Sequence, residues 1–271
     1  MYQAMIRHVF RNRIFYWGIL SVNWLRKIIL VMHKDCIILA GGLGTRLRES
    51  VPDKPKCLAD IHGKPFLYYL CKHLKKHHFC KIIFSVGYQK DLVKDYVMSH
   101  RDEFPFAFDF AEEEEPLGTG GAILNALPYS DTEDVFIVNG DTFMDVNLDL
   151  LLNFQQTKMA DCTIALKPMT EADRYGLVSI NEQFQVEGFE EKKPGASGLI
   201  NAGVYCLYRN SFLNIPFDKK FSFEKDYLEK YLNERDFFGY VSDGYFIDIG
   251  IPTDYARAQS EIPSLFSTNI S

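Results

Sequence analysis

The sequence predicts an α/β fold in which helices flank a mixed, mostly parallel β-sheet. From residue 34 onward, short runs of β-branched and other apolar residues alternate with segments of helical period, which is the pattern of βαβ units. Of the 271 residues, 47% are hydrophobic and 24% are charged, a composition typical of globular proteins and too apolar for a disordered chain. After residue 175 strand-like runs predominate, so the C-terminal half is expected to be richer in β-structure.

The individual elements follow from these periodicities. The strands predicted in the first half are Cys36–Ala40, Lys81–Val86, Phe106–Phe110, Val135–Asn139 and Cys162–Lys167. The helices predicted between them are Phe66–His77, Lys90–Ser99, Gly120–Leu127 and Leu148–Lys158. The second half has predicted strands at Leu177–Ile180, Val186–Phe189, Ile200–Tyr208 and Phe237–Val241, and predicted helices at Phe223–Asn233 and Asp254–Glu261. This succession is Rossmann-like and, without a Gly/Ser-rich linker, predicts a single domain over residues 32–271.

Residues 1–31 differ in composition from the rest of the chain. They contain five basic residues and no acidic one, whereas the other residues include 25 basic and 36 acidic ones, a formal charge of −11. The apolar run Ile14–Val22 falls short of the roughly 20 residues that span a membrane, and no small-residue cleavage site follows it. Contact with a membrane surface is the alternative. The segment that begins at Met32 and leads into the first predicted strand has the pattern of the start of a domain. We therefore predict that residues 1–31 are an N-terminal extension with no part in the chemistry.

The charge balance and the cysteines exclude several classes of protein. A formal charge of −6 argues against a nucleic-acid binder that must neutralise many phosphates. The six cysteines form no C-x-x-C pair and no cluster, which predicts reduced, mostly buried thiols in a cytoplasmic protein without zinc. His73 and His77 have the i, i+4 spacing of zinc ligands, but without a third ligand we interpret them as a surface pair. The sequence leaves the oligomeric state open, a homo-oligomer included.

A glycine-rich turn follows the first predicted strand. The segment Gly41-Gly42-Leu43-Gly44-Thr45-Arg46 has three glycines in four positions, so its backbone N–H groups can converge on an anion without obstruction by Cβ atoms. A tight turn without a ligand is the alternative interpretation. Lys54 and Lys56, on either side of Pro55, place further cations near the turn. The segment is not a P-loop, since no Gly-Lys-Ser/Thr ends it, and Leu47 replaces the third glycine of the dinucleotide fingerprint.

Two aspartates end apolar runs in opposite halves of the chain. Asp141 follows the predicted strand Val135–Asn139, at the carboxyl edge where ligands bind in open α/β sheets. Asp248 follows the apolar run Tyr245–Ile247. Capping of a turn is the alternative role for Asp141. Two such carboxylates facing each other across a cleft can hold one Mg²⁺, with waters and substrate phosphates as its other ligands.

Several motifs in a fixed order resemble those of the sugar-1-phosphate nucleotidylyltransferases. They are Gly41–Arg48, Val51–Lys56, Gly63–Pro65, Leu117–Ala122, Asn139–Asp141 and Asp248–Gly250, and the resemblance covers residues 34–262. It implies the nucleotide-diphospho-sugar transferase fold. It also implies transfer of a nucleoside monophosphate from a nucleoside triphosphate to a sugar 1-phosphate, with release of pyrophosphate. No general base is required, because a phosphate monoester with a second pKa of about 6 is mostly ionised at pH 7.

The resemblance also implies roles for individual side chains. The implied catalytic residues are Arg46, Lys56, Asp141 and Lys192, and the implied ligands of Mg²⁺ are Asp141 and Asp248. The implied nucleotide-binding residues are Leu39, Ala40, Gly41, Gly42, Gly44, Thr45, Leu117, Gly118, Thr119 and Asn139. The implied sugar-phosphate-binding residues are Tyr175, Gly176, Glu191, Asn201 and Gly203, with Glu190 as the alternative to Glu191.

The amino-acid sequences of two motifs indicate which nucleotide and which sugar phosphate the resemblance implies as substrates. Val51–Lys56 and Pro116–Ile123 most resemble the bacterial guanylyltransferases that act on D-glycero-α-D-manno-heptose 1-phosphate and supply GDP-heptose for surface polysaccharides. The resemblance therefore implies GTP and this heptose phosphate as substrates. Guanylyl transfer to mannose 1-phosphate and uridylyl or cytidylyl transfer are alternatives, because specificity can depend on one or two contacts. A sugar-nucleotide-binding regulatory subunit without catalysis is the alternative from a different class.

Overall fold

The computed structural model describes residues 33–42 and 54–267, so the predicted extension at residues 1–31 lies outside the described residues. The strands in these ranges are β1 (Asp35–Leu39), β2 (Asp60–Ile61), β3 (Lys64–Pro65), β4 (Lys81–Val86), β5 (Ala107–Glu112), β6 (Asp134–Asn139), β7 (Thr142–Met144), β8 (Cys162–Met169), β9 (Leu177–Ile180), β10 (Val186–Glu190), β11 (Gly198–Tyr208), β12 (Phe237–Val241) and β13 (Phe246–Asp248). The α-helices are α1 (Phe66–Lys76), α2 (Lys90–Ser99), α3 (Gly118–Ala126), α4 (Leu148–Lys158), α5 (Arg209–Leu213) and α6 (Pro252–Ser267), and a π-helix covers Phe223–Glu229. Within the described residues, none of the helices has both the length and the apolar character needed to span a membrane.

Nine of the described strands form one central sheet. Its main order is β10-β9-β11-β6-β1-β4-β5, with β8 paired to β11 and β12 paired to β8. The strands β6, β1, β4 and β5 run parallel, whereas β11 is antiparallel to β6, β8 and β9. The prediction of a mixed, mostly parallel sheet flanked by helices is confirmed. Each antiparallel pair of this sheet includes a strand from after residue 175, as expected for a β-richer second half.

The sheet separates two apolar layers. On β1, Cys36 and Ile38 belong to one buried cluster and Ile37 to the other, because successive side chains of a strand point to opposite faces. Helix α1 contributes Phe66 to the first cluster, and α3 contributes Ile123 to the second. Helices therefore cover both faces, and the carboxyl edge of the parallel strands is where the chain remains open to ligands.

Two three-residue strands, β7 and β13, form a small separate sheet. They pair antiparallel, so that Asp248 lies opposite Thr142 and next to Asp141. The Ile249 N–H also donates to the Asp141 carbonyl oxygen at 3.0 Å. Neither strand is long enough to show a period in the sequence, yet this pairing brings the two aspartates of the predicted metal site together.

The predicted helix boundaries are mostly correct, but three helices differ by more than one residue at an end and the short helix α5 was not predicted. Lys90–Ser99 and Leu148–Lys158 agree with the prediction, but α3 begins two residues earlier than predicted. The helix predicted at Phe223–Asn233 is a π-helix that ends at Glu229. Helix α6 continues past Pro263 to Ser267, because Phe266 packs against the rings of Tyr69 and Phe143 and holds the last turn in place.

Five of the six cysteines are buried, as predicted. They are Cys36, Cys57, Cys71, Cys162 and Cys206. Burial, followed by the charge of Asp141, raises the pKa of the Cys57 thiol to about 12. The Cys57 thiol is therefore protonated at neutral pH.

The interpretation of His73 and His77 as a surface pair is wrong. Each residue is only 6% exposed. The Nδ1 atom of His77 lies 2.9 Å from an oxygen of Asp149, and that of His73 lies 3.7 Å from an oxygen of Asp145. The ring of His73 also packs edge-on against Phe143. The period of α1 could not reveal that β7 and the start of α4 cover this face of the helix.

The burial of His73 predicts a loss of stability in mild acid. Burial and then the neighbouring His77 lower the pKa of His73 from 6.5 to about 4. Between these pH values the unfolded chain binds a proton at this side chain and the folded chain does not. The free energy of unfolding therefore falls as the pH falls below about 6.5, because protons bind preferentially to the unfolded chain at this side chain. Urea unfolding at pH 7 and pH 5 measures the effect.

Two variants separate His73 from the other titrating groups. His73→Phe is expected to lose less stability than the wild type between pH 7 and pH 5, because the buried group that titrates is gone. His78→Asn is the matched control, since His78 is exposed and lies in the turn after α1. An equal acid-induced loss in His73→Phe and the wild type would contradict the prediction.

Candidate active site

The strands β1 and β6 end at the same edge of the sheet, and the chain turns sharply after each. Gly41 and Gly42 follow β1, and Gly140 follows β6. A Cβ atom at Gly140 would lie 2.5 Å from the carbonyl oxygen of Leu39, so only glycine fits there without moving the backbone. A Cβ atom at Gly41 would lie 2.6 Å from Oε1 of Glu113. The two turns thus pass close to their neighbours and leave the carboxyl edge of the sheet open.

A cleft of about 440 Å³ lies at this edge. The predicted site residues that line it are Leu39, Ala40, Gly41, Gly42, Lys56, Gly118, Thr119, Asn139, Asp141 and Asp248. Leu117 is buried beside the cleft and donates its backbone N–H to Oε2 of Glu113 at 3.1 Å. The predicted residues Gly44, Thr45 and Arg46 lie outside the described residues. Ten predicted residues therefore meet in one cleft.

The corner at Gly118 and Thr119 is held against the segment before the π-helix. Gly118 has a φ of 74°, and a Cβ atom there would lie 2.5 Å from the carbonyl oxygen of Phe221. That oxygen accepts the N–H of Gly120 at 3.0 Å, and the N–H of Phe221 donates back to the Leu117 carbonyl oxygen at 3.0 Å. Because glycine reaches a positive φ without strain, the first turn of α3 can face the cleft at this close contact.

Lys56, Asp141 and Asp248 form a charged cluster in the cleft. Nζ of Lys56 donates to Oδ2 of Asp141 at 2.8 Å, and the two side chains are 15% and 32% exposed. Oδ1 of Asp248 accepts the N–H of Gly250 at 2.7 Å. Burial and then the charge of Asp141 raise the pKa of Asp248. The two carboxylates therefore repel each other, and Lys56 is a cation that offsets this repulsion in the structure.

This cluster fits a divalent cation that prefers oxygen ligands. The two carboxylates supply anionic oxygens from opposite halves of the chain. A cation bound between them, in addition to Lys56, would reduce their mutual repulsion. The adjoining cleft leaves room for waters and phosphate oxygens to complete a coordination shell. Asp141 and Asp248 are the residues that could hold such an ion.

A second cavity, of about 490 Å³, adjoins the cleft. The predicted sugar-phosphate-site residues that line it are Tyr175, Gly176, Asn201 and Gly203, and the predicted catalytic residue Lys192 lines it as well. The two cavities share Asn139, Thr142 and Asp248. Ligands bound in the two cavities would therefore meet beside the charged cluster.

The wall between the cavities depends on a glycine on β11. Gly203 has a φ of 69°, and a Cβ atom there would lie 2.7 Å from Nδ2 of Asn139. The N–H of Gly203 donates to Oδ1 of Asn201 at 3.0 Å, at a point where the register of β11 and β8 shifts. Such irregularities re-aim side chains at strand edges. Here the irregularity turns Asn201 toward the second cavity while Asn139 stays in contact with both.

Glu191 is a predicted sugar-binding residue that is not among the residues lining either cavity. Its side chain is 85% exposed and 3.9 Å from Nζ of Lys225. Glu190, the alternative, pairs with Lys193 at 3.1 Å. Glu190 is the last residue of β10 and Glu191 is the first residue of the loop that joins β10 to β11, while Lys192 of the same loop lines the second cavity. A role for Glu191 in sugar binding stays a prediction.

Two acidic residues of the cavities, Glu113 and Glu224, were not predicted from the sequence, whereas Arg174 belongs to a segment that resembles the family's sugar-phosphate site. Glu113 belongs to a run of four glutamates that resembles an ordinary solvated segment, but its carboxylate accepts from Oγ of Ser85 at 3.3 Å and lines the cleft. Its place directly after β5, at the carboxyl edge, was an available signal. Arg174 and Glu224 line the second cavity. Glu224 lies in no motif of the sequence, and its position follows from the fold alone.

The structure thus combines a mixed sheet flanked by helices, a charged cluster at the carboxyl edge of that sheet and two cavities that meet there. The chain belongs to the nucleotidyl transferase family, whose model matches residues 35–264. The predicted family, fold and class of enzyme are therefore confirmed.

Two curated relatives and one solved structure resemble the chain over nearly their whole length. It is 43% identical over 228 residues to the D-glycero-α-D-manno-heptose 1-phosphate guanylyltransferase of Aneurinibacillus thermoaerophilus, over 84% of this chain and 98% of that relative. It is 42% identical to the enzyme of the same name from Campylobacter jejuni subsp. jejuni, over 82% of this chain and 96% of that relative. The crystal structure of HddC from Yersinia pseudotuberculosis complexed with GMP-PN has a TM-score of 0.76 and 39% identity, over 83% of this chain and 98% of that one.

Proposed function

We propose that the protein transfers GMP from GTP to D-glycero-α-D-manno-heptose 1-phosphate, forming GDP-heptose and pyrophosphate. The observation that carries the proposal is the meeting of two cavities at Asp248, beside Lys56 and Asp141. A transfer between two anionic substrates requires this kind of shared, cation-containing boundary. The choice of GTP and of the heptose phosphate is supported by the names of the two relatives at 43% and 42% identity.

In this proposal each cavity takes one substrate. The nucleotide occupies the cleft, with its triphosphate beside the glycine turn after β1 and its base and ribose at Leu117–Thr119. The sugar occupies the second cavity, between Tyr175 and Asn201, and its phosphate lies toward Lys192. The arrangement is supported by the closeness of the two cavities, which share Asn139.

The reaction is an in-line displacement at the α-phosphorus of GTP. An oxygen of the sugar phosphate forms the new P–O bond, and the bond to the bridging oxygen of the β-phosphate breaks, so that pyrophosphate leaves with the electron pair. No proton has to be removed from the nucleophile. Lys56 and Arg46 would offset the charge of the triphosphate and of the leaving pyrophosphate, and Lys192 that of the sugar phosphate.

Asp141 and Asp248 would hold Mg²⁺. When bound, the ion supplies positive charge to phosphate oxygens of the nucleotide. Lys56 donates to the carboxylate of Asp141 at 2.8 Å in the structure and would turn toward the phosphates of the nucleotide when the ion is bound. The half-buried carboxylate of Asp248 would be fixed by the Gly250 N–H at 2.7 Å.

Two proposals concern the protein as a whole. The buried, protonated thiols support a cytoplasmic location, because reduced cysteines persist there. Residues 1–31 are proposed to be an extension with no role in catalysis. A variant that begins at Met32 should keep the full rate of pyrophosphate release if this is correct.

A substrate matrix tests the proposed function. Pyrophosphate release is measured with Mg²⁺ for GTP, UTP, CTP, ATP and dTTP, each with heptose 1-phosphate, mannose 1-phosphate and glucose 1-phosphate. We expect the highest kcat/KM with GTP and D-glycero-α-D-manno-heptose 1-phosphate. A higher kcat/KM with mannose 1-phosphate would contradict the sugar assignment. No turnover with any pair, while GTP still raises the melting temperature, would instead indicate a binding subunit without catalysis.

A further inference from the structure

Glu224 connects the nucleotide corner to the second cavity. The residue lies in the π-helix Phe223–Glu229, and π-helical turns occur frequently at functional sites. Its Oε2 atom accepts from Oγ1 of Thr119 at 2.8 Å and from Oγ of Ser222 at 3.0 Å. Thr119 lines the nucleotide cleft, whereas Glu224 lines the second cavity. One carboxylate is therefore attached to both sites.

The other oxygen of Glu224 is held from the floor of the second cavity. Oε1 accepts from the phenol of Tyr205 at 3.3 Å, and that phenol accepts from Nδ2 of Asn201 at 2.9 Å. Burial and then the charge of Glu224 raise the pKa of Tyr205, so the phenol stays protonated and donates. Tyr205 is only 1% exposed, which fixes the direction of its hydroxyl.

The hydrogen bonds leave the carboxylate with one unused acceptor position. An ionised carboxylate offers about four lone-pair sites, and Thr119, Ser222 and Tyr205 occupy three of them. The carboxylate lies at the surface of the second cavity rather than in the core. A sugar hydroxyl is a donor that a fixed carboxylate can accept, and such a charge-assisted bond is stronger than one to a neutral acceptor.

We propose that Glu224 accepts a hydrogen bond from a hydroxyl group of the sugar, and that Thr119 holds the carboxylate in position for it. The proposal rests on the proposed function, since it places the sugar in the second cavity. Glu224 would thus make the contact with a sugar hydroxyl that the sequence resemblance assigns to Glu191. The side chain of Glu191 is 85% exposed and lies outside the cavity. The bond from Thr119 also makes the position of the sugar-binding carboxylate depend on the nucleotide corner.

Glu224→Gln tests the contact with the smallest change of shape. The amide keeps one acceptor oxygen but loses the charge and the second oxygen. Since hydrogen bonds to charged groups contribute about 1.5–3 kcal/mol, we expect the KM for the sugar 1-phosphate to rise about 10- to 100-fold. The KM for GTP and the melting temperature should change little. Glu229→Gln, an exposed glutamate at the end of the same helix, is the matched control and should behave as the wild type.

Deoxy analogues of the sugar 1-phosphate identify the hydroxyl and exclude a structural effect. In the wild type, removal of the hydroxyl that Glu224 accepts should lower kcat/KM about as much as Glu224→Gln does. In Glu224→Gln, removal of that same hydroxyl should cost little more, because the contact is already lost. Equal losses for every analogue in both proteins would overturn the proposal, as would equal increases in the KM of GTP and of the sugar 1-phosphate.

A binding measurement separates this proposal from the proposed function. Titration calorimetry of each protein with heptose 1-phosphate and with mannose 1-phosphate, in the presence of α,β-methylene GTP, gives Kd values without turnover. A wild type that binds a sugar 1-phosphate but does not turn it over would contradict the proposed function, and the Kd of Glu224→Gln would still test the contact. A Kd unchanged by the substitution, or no binding of either sugar phosphate to the wild type, would overturn the proposal about Glu224.

Discussion

Asp141→Asn should lower kcat at least about 1000-fold at every Mg²⁺ concentration while the fold stays intact. The substitution removes one of two carboxylates that would hold the ion, and metal stabilisation of phosphoryl oxygens contributes several kcal/mol. Folding should tolerate the change, because the amide oxygen of the introduced side chain can still accept from Lys56 and the repulsion between Asp141 and Asp248 disappears. Pyrophosphate release over a range of Mg²⁺ concentrations, together with the melting temperature, measures both parts of the prediction.

A second lysine–aspartate pair provides the control. Nζ of Lys81 lies 3.1 Å from Oδ2 of Asp109, outside both cavities. Asp109→Asn removes a carboxylate from a comparable ion pair and should leave kcat within about twofold of the wild type, as exposed pairs contribute little. If Asp141→Asn retained wild-type activity at saturating Mg²⁺, Asp141 would have no place in the metal site.

The part of the site that could be predicted from the sequence is the part carried by strand ends and glycine turns. Asp141 directly follows a buried strand, and parallel strands place their carboxyl ends at one edge, so its location followed from the local pattern. Gly140 and Gly118 are required by close backbone contacts, and their place in short motifs reflects this requirement. The position of each of these residues in the fold is therefore set by contacts that its own short motif or strand end makes.

The remaining part of the site depends on contacts between segments far apart in the chain. The short pairing of β7 with β13 places Asp248 beside Asp141. A strand of three residues is too short to show a periodicity, so the sequence could not indicate this pairing. Glu224 reaches Thr119 only because the π-helix packs against α3. The burial of His73 has the same origin, since the face of α1 that carries it looks polar in sequence and is covered by other elements. A fold can be predicted from periodic segments, but such contacts require the packed structure.

Lys56→Met should lower kcat about 100- to 1000-fold and, unlike Asp141→Asn, strengthen the apparent binding of Mg²⁺. The loss of rate follows because a positioned cation at the reacting phosphates is removed, an effect of the size seen for single oxyanion-stabilising groups. The tighter binding of Mg²⁺ follows because Lys56 lies 2.8 Å from Asp141 and its charge acts to lower the pKa of Asp248, so it competes with any other cation for both carboxylates.

Lys56→Met and Asp141→Asn are expected to change Mg²⁺ binding in opposite directions, which distinguishes this prediction from a general loss of structure. The Mg²⁺ concentration at half-maximal rate should fall in Lys56→Met, whereas Lys56→Arg, which keeps the charge, should bind Mg²⁺ much like the wild type. A general collapse of the cleft would weaken Mg²⁺ binding in both Lys56→Met and Asp141→Asn. A higher Mg²⁺ requirement in Lys56→Met would therefore contradict the view that Lys56 and the metal share two carboxylates. A lower one would mean that the lysine neutralises Asp141 and Asp248 until the ion arrives with the nucleotide.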